Sequence, residues 1–322
     1  MKRSTLVISI LLGLAFLSVI AIIIVIALQP IAGPRRASSG LGGGDAIAFI
    51  PLSGAIADGE GTSLLAGGSG ITPDFVRHQL EKAENDPAVK AVIIKLDSPG
   101  GAVGASQEIA ELIKEEKKSK PVVIFCGDTV ASGAYYISSQ ASKIVAKPGS
   151  LVGSIGVISQ IPDLTGLYDK LGIKMQTIKS GKNKDMFERT LTPEERQKFQ
   201  TMSDELYNQF VSDVARGRKL KREKVLGLAT GEVFTAASAK QLGLVDEIGG
   251  YQKAIDTAAE LANIENPVVI EYQPSFFEEF FGGPIESIKN FLRTGILGPE
   301  LSLIEYMNSK YGVPEYRYYG GQ

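Results

Sequence analysis

From Ala46 onward, short apolar runs alternate with segments whose apolar positions recur every three or four residues. Ala46–Ile56, Ala91–Leu96, Val122–Phe125, Ile144–Ala146 and Val152–Ile158 are rich in Val and Ile and predict strands. Pro73–Asn85, Val103–Lys118 and Ala134–Ser142 between them predict helices. Strands apolar at nearly every position need cover on both faces, so the alternation predicts an α/β domain built from parallel crossovers. Thr192–Arg216 gives the clearest helix. It opens with a capping Thr, Pro193 in the first turn and acidic Glu194 and Glu195, and Phe199, Met202, Leu206, Phe210 and Val214 form one inward face. Val268–Tyr272 reads as an edge strand, and Phe276–Leu292 is too aromatic for a free linker and must cover the core, a neighbouring subunit or lipid.

The amino terminus has a different pattern. Leu6–Leu28 holds no charged residue over 23 positions. As a helix it would be about 35 Å long, enough to cross a hydrocarbon core of about 30 Å. It runs into Gln29-Pro30 without a small-residue cleavage site, which favours a retained anchor over a cleaved signal. Lys2 and Arg3 on one side balance Arg35 and Arg36 on the other, so charge does not set its orientation. Gln29–Gly44 is rich in Gly, Pro and Ser and reads as a tether. The expected organisation is therefore flank and anchor over 1–28, linker over 29–44, folded domain over 45–264 and a carboxyl-terminal extension over 265–322, with no internal repeat.

Composition narrows the chemistry. The 322 residues carry 34 Lys and Arg against 36 Asp and Glu, without the basic excess of a nucleic-acid binder. One cysteine, Cys126, rules out an intrachain disulfide and a thiolate metal cluster, and one histidine, His78, rules out two-histidine metal motifs. No metal or cofactor is expected. His78 lies in a polar-flanked helical stretch and reads as a solvated residue, so no histidine is at hand for a Ser-His-Asp or Cys-His site. GxSxG, GxGxxG and the phosphate-cradling GxxxxGK[ST] do not occur.

A hydrolase with this inventory would use a serine activated by a lysine, with backbone N–H groups aimed at the oxyanion. Three segments supply such parts. In Asp128–Tyr136 a strand gives way to small residues and a helix, and Ser132 stands at the helix start, where its plainer reading is a cap. Asp97-Ser98-Pro99-Gly100-Gly101 ends another strand, where Gly101 could donate an N–H or simply form a turn. Lys179-Ser180-Gly181-Lys182-Asn183-Lys184-Asp185 is a basic loop after an expected strand Met175–Ile178, and spacing does not say which of its lysines would act. A lysine base must be held neutral against an ordinary pKa near 10.4, which calls for a dry site that substrate or a neighbouring subunit has to seal.

These segments, in this order, together with VASGAYYISSQASKIVAKPGSLVGSIGV, IKSGKNKD and GEVFTAASAKQLGLVDEIGG, resemble the signal peptide peptidase A family of membrane-bound serine proteases over roughly Asp45–Ile264. The resemblance implies a fold related to the crotonases and the Clp protease subunit, with β-β-α superhelical units. It implies Ser132 as nucleophile, Lys184 as general base, Ser154 steadying the lysine, and oxyanion donors at the backbone of Gly133 and Gly101. One departure is Ala134, where many relatives carry a second glycine. The resemblance further implies an extracytoplasmic domain on a single-pass membrane anchor, signal peptides as substrates, and a homo-oligomeric ring in which Ser and Lys meet from adjacent subunits. The tail Val313–Tyr319 resembles family tails that lie in a neighbour's active site. Two other readings compete: a crotonase-like acyl-CoA enzyme, and a membrane scaffold without catalysis.

Overall fold

The computed structural model describes residues 44–58, 70–272 and the backbone of 315–317. The expected anchor at 6–28, most of the linker and the aromatic stretch 276–292 lie outside the described residues. Among the described residues no helix is long and apolar enough to cross a membrane.

The domain is a mixed α/β structure around one sheet. Its strands are β1 (Ala46–Ser53), β2 (Val89–Ser98), β4 (Val122–Ala131), β5 (Lys143–Ala146), β6 (Leu151–Gly153), β7 (Val233–Thr235), β8 (Glu247–Ile248) and β9 (Val268–Glu271). The main path runs β7-β6-β4-β2-β1-β9, with β5 and β8 branching from β4. All pairings in it are parallel except β6 with β7. Two short strands, β3 (Gly100–Ala102) and β10 (Glu315–Arg317), form a separate antiparallel pair.

The continuous apolar runs have a direct structural cause. Alternate residues of each central strand enter different cores: Ala46, Ala48, Ile50 and Leu52 of β1 face one way and Ile47 and Phe49 the other. The first face is covered by α1 (Pro73–Asn85), α2 (Val103–Ser119), α3 (Gly133–Ser138) and the inner end of α5 (Pro193–Gly217); the second is covered by α8 (Tyr251–Ala262). A sheet buried on both sides cannot alternate apolar with polar. Between α3 and α8 the chain also forms α4 (Thr165–Lys170), α6 (Arg222–Leu228) and α7 (Ala236–Leu242).

Several expected boundaries move, each for a local reason. β1 stops at Ser53 because Gly54 turns at φ 99°, leaving Ile56 as an isolated bridge. The expected strand Val152–Ile158 ends at Gly153, where Gly153 and Ser154 both take positive φ. The helix expected to Ser142 ends at Ser138. Met175–Ile178 is no strand: no partner strand reaches it among the described residues, and Ile178 is fully exposed. Val157 still packs against the core, but from Ile158 to Glu194 no residue is buried, so this arm, α4 included, stands off the core.

Strand β4 forks the sheet. Val123–Cys126 pairs with β5, and Thr129–Ala131 pairs with β6. Between them Gly127 lies so close to Asp97 that a Cβ there would sit 2.5 Å from the Asp97 side chain, while Asp97 Oδ1 accepts from the Thr129 N–H at 3.0 Å. The end of β2 thereby fixes the direction of the last β4 residues, and these lead into Ser132.

Candidate active site

Ser132 follows β4 and precedes α3, is 1% exposed, and has φ 55° and ψ −118°. For a residue with a Cβ this is a strained backbone, costing about 1–3 kcal/mol, which persists only when its surroundings enforce it. They do so from both sides: Ser132 N–H donates to the Gly153 carbonyl at 2.7 Å, and the Ser132 carbonyl accepts from Tyr136 N–H at 2.8 Å. The plainer reading of Ser132 as a side-chain cap does not hold. Its hydroxyl makes no capping hydrogen bond and has no hydrogen-bond partner among the described residues. Gly133, the first residue of α3, has an N–H with no intrahelical acceptor by position, beside that hydroxyl.

The short helix is fastened from behind. The Tyr135 hydroxyl donates to the Leu244 carbonyl at 2.9 Å, and the Tyr136 hydroxyl to Asp213 Oδ2 of α5 at 2.5 Å. Burial pushes the Tyr135 phenol well above its ordinary pKa, so it remains a donor at any working pH. Asp213, 6% exposed, is also paired with Arg216 at 2.9 Å.

Ser154 comes to the same place. Ala131 and Gly153 are partners in parallel strands, so the next residues, Ser132 and Ser154, emerge side by side. Ser154 is buried at φ 51°, held by its N–H to the Glu232 carbonyl at 2.7 Å.

Gly101 lies in β3, beside α3. Ile56 N–H donates to the Gly100 carbonyl and Ala102 N–H to the Ile56 carbonyl, both at 2.9 Å. Neighbouring residues in a strand point their backbone groups to opposite edges, so those of Gly101 face away from Ile56. On that edge lies β10, with Tyr316 opposite Gly101, packed also against α3. The expected turn at Gly100-Gly101 is thus a strand whose free edge accepts an extended segment of the chain's own tail. A Cβ at Gly101 would sit 1.9 Å from the Ile56 carbonyl oxygen, so the close approach admits glycine alone.

Lys184 lies elsewhere in the chain's architecture, exposed in the standing-off arm. No hydrogen bond or ion pair among the described residues joins it to Ser132 or Ser154. The other two loop lysines are engaged, Lys179 with Asp185 at 2.6 Å and Lys182 with Glu194 at 3.1 Å. Among the described residues Lys184 alone of the three has no carboxylate partner. The arm is tied to the first turn of α5, whereas α3 is tied to Asp213, 18 residues further along that helix and so about 27 Å along its axis. The structure therefore brings together Ser132, Gly133, Ser154 and Gly101, and leaves Lys184 outside that group. His78 is an exposed residue of α1, as expected. Sequence reasoning missed Asp97 and Asp213; an acid beginning the Asp97–Gly101 segment was the only available sign of the first, and helix periodicity gave none of the second.

Comparison with known proteins places this geometry. A family model described as peptidase family S49 matches residues 114–265, which include Ser132, Ser154 and Lys184. A candidate protease of Methanocaldococcus jannaschii is 41% identical over 213 residues, 64% of this chain and 68% of its own length. A candidate signal peptide peptidase SppA of Enterococcus faecium is 34% identical over 281 residues, 85% of this chain and 81% of its own. Protease 4 of Salmonella typhi is 38% identical over 232 residues, and the match covers 71% of this chain but only 37% of that protein. Among solved structures, a variant of the 1510-N membrane-bound stomatin-specific protease in complex with a substrate peptide shares the fold at a TM-score of 0.50 and 17% identity, covering 74% of this chain and 96% of that one. With a buried serine at the strand-to-helix junction inside the matched region, its hydroxyl unpartnered among the described residues, the chain belongs to peptidase family S49, the signal peptide peptidase A family of serine-type proteases.

Proposed function

We propose that the protein is a membrane-anchored endopeptidase whose Ser132 attacks the peptide carbonyl with Lys184 as general base. The observation that carries this reading is the strained, buried Ser132 at the start of α3, whose hydroxyl has no partner among the described residues. Lys184 takes the hydroxyl proton as the acyl bond forms and passes it to the leaving amine; water then enters under the same base. The Ser154 hydroxyl steadies the amine, and the N–H groups of Gly133 and Gly101 receive the oxyanion. An acyl-CoA enzyme would leave both the serine and the lysine idle.

The substrate binds as an added strand on the outer edge of β3, the edge that β10 takes within the chain. Main-chain pairing of this kind tolerates many sequences, which suits signal peptides released into the membrane. Residues 6–28 hold the enzyme in the membrane, with the domain on the extracytoplasmic side. The tail containing Glu315–Arg317 competes with substrate for the same edge.

Two observations support a shared site in a homo-oligomer. α5 holds the Ser132 helix and the Lys184 arm near its opposite ends. The arm also exposes Leu167, Leu171, Ile173, Met175, Ile178 and Phe187, an apolar set expected to be covered in the assembly. In that ring Lys184 of one subunit meets Ser132 of the next, and the contact that dries the arm also keeps the amine neutral.

The experiment replaces Lys179, Lys182 and Lys184 with Ala one at a time and assays peptide cleavage. Loss with Lys184→Ala alone supports the assignment, and loss with either other lysine while Lys184→Ala stays active refutes it. Mixing inactive Ser132→Ala and Lys184→Ala subunits under exchange should restore part of the activity. No restoration would refute the shared site.

A further inference from the structure

The arm that carries Lys184 is joined to α5 through a few side chains, and Arg189 is at their centre. Its Nη2 donates to Asp185 Oδ1 at 3.0 Å and to Glu195 Oε1 at 2.8 Å, and its Nη1 donates to Glu195 Oε2 at 2.9 Å. Glu195 is 3% exposed and belongs to the capping box of α5, where Oε2 accepts from Thr192 N–H at 2.9 Å and Thr192 Oγ1 accepts from Glu195 N–H at 3.2 Å. One planar guanidinium thus bolts the residue next to Lys184 onto the first turn of a 25-residue helix. Phe187 stacks edge-on against Phe199 of that helix, with ring centroids 5.7 Å apart, and closes the same joint from its apolar side.

The electrostatic consequence concerns Asp185. A carboxylate free beside an amine favours the ammonium form, which cannot accept a proton. Here Arg189 and Lys179 both occupy that carboxylate and hold its pKa down at about 2. Two further carboxylates near the joint are engaged as well. Glu194 takes Lys182 and Lys198, and Glu188 accepts from the Thr177 hydroxyl.

We infer that Arg189 is a positioning residue of the peptidase reaction, fixing the Lys184 arm on α5 and keeping Asp185 from pairing with the Lys184 amine. The inference rests on Lys184 being the general base.

The test measures kcat, KM and the pH dependence of kcat/KM in the full-length protein for Arg189→Ala, Arg189→Lys, Arg189→Ala combined with Asp185→Asn, and Lys184→Ala. Arg189→Ala should lower kcat about tenfold to a hundredfold with KM little changed, as expected for a misplaced catalytic group. Its acid limb should move up by about one pH unit, because the carboxylate, left with Lys179 as its one cationic partner, becomes free to turn toward the Lys184 amine and raises its proton affinity. Arg189→Lys should recover part of the rate, and adding Asp185→Asn should return the limb to its wild-type position. A purely structural role would lower activity and stability without moving the limb. Wild-type kcat and pH profile in Arg189→Ala, with Lys184→Ala inactive, overturn the role of Arg189 and leave the dyad standing. An active Lys184→Ala overturns both. If Arg189→Ala does not fold, Arg189→Lys and Glu195→Gln carry the same measurement, and an unmoved acid limb in both is the contrary result.

Discussion

Replacing Gly101 with Ala tests how closely the substrate edge is built. The added Cβ would lie 1.9 Å from the Ile56 carbonyl oxygen and 2.7 Å from its carbonyl carbon and its nitrogen. Backbone atoms cannot rotate aside, so β3 must retreat by about 1.1 Å to reach even the shortest tolerable contact of 3.0 Å. Strain of that kind costs about 1–3 kcal/mol of stability. It also displaces the Gly101 N–H and the edge on which a peptide would pair, and a shift of about 1 Å in a reacting constellation costs about a hundredfold in rate. The assay compares kcat/KM for peptide cleavage, at a temperature well below the unfolding transition, in wild type, Gly101→Ala and Gly104→Ala. Gly104 lies in α2, where a Cβ meets nothing within 4 Å, and alanine there should preserve activity and stabilise slightly. A folded Gly101→Ala protein with wild-type kcat/KM would refute the placement of β3 at the site.

Two further outcomes follow from buried polar groups. Tyr136→Phe removes the hydroxyl that donates to buried Asp213, and we expect a loss of about 1.5–3 kcal/mol in urea unfolding together with slower peptide cleavage, as α3 loosens under Ser132. Equal stability would show that this hydrogen bond does not hold the helix. Burial, reinforced by Glu84, pushes Glu116 up from about 4.5 to about 7. The folded chain then keeps its proton through a pH range in which the unfolded chain has released it, so stability falls as pH rises from about 4.5 to 7. Full conversion of that shift would be about 3 kcal/mol, and the groove around Glu116 is open to water, so we expect about 1–2 kcal/mol. Glu116→Gln should be more stable than wild type at pH 8 by that amount; equal stability of the two at pH 8 would contradict the burial argument.

The apolar runs of β1, β2 and β4 were legible because a sheet covered on both faces leaves no polar positions to confuse them. The cap of α5 was legible because Thr192 and Glu195 satisfy orphan backbone donors in a way that short-range spacing encodes. What the pattern missed depends on partners distant in the chain. Val152–Ile158 reads as one strand until the positive φ at Gly153 and Ser154 is imposed by the neighbouring Ser132 and Glu232 backbones. Met175–Ile178 has the composition of a strand but no neighbour to pair with among the described residues, and Met175 and Ile178 are exposed. From the residues alone, a cap at Ser132 and a turn at Gly101 were the plainer readings. The Ser132 hydroxyl, which makes no capping hydrogen bond, and the pairing of Gly101 with β10 set aside the cap and the turn. The candidate site was otherwise suggested by scarcity, since a single histidine, exposed on α1, leaves no usual base.

The proposed chemistry makes the Ser132 hydroxyl a nucleophile activated by Lys184. Its most direct measurement treats the full-length protein with a serine-directed fluorophosphonate and maps the modified peptide. Modification at Ser132 that is abolished in Lys184→Ala is the expected result; modification confined to another serine, or undiminished at Ser132 without the lysine, would contradict it.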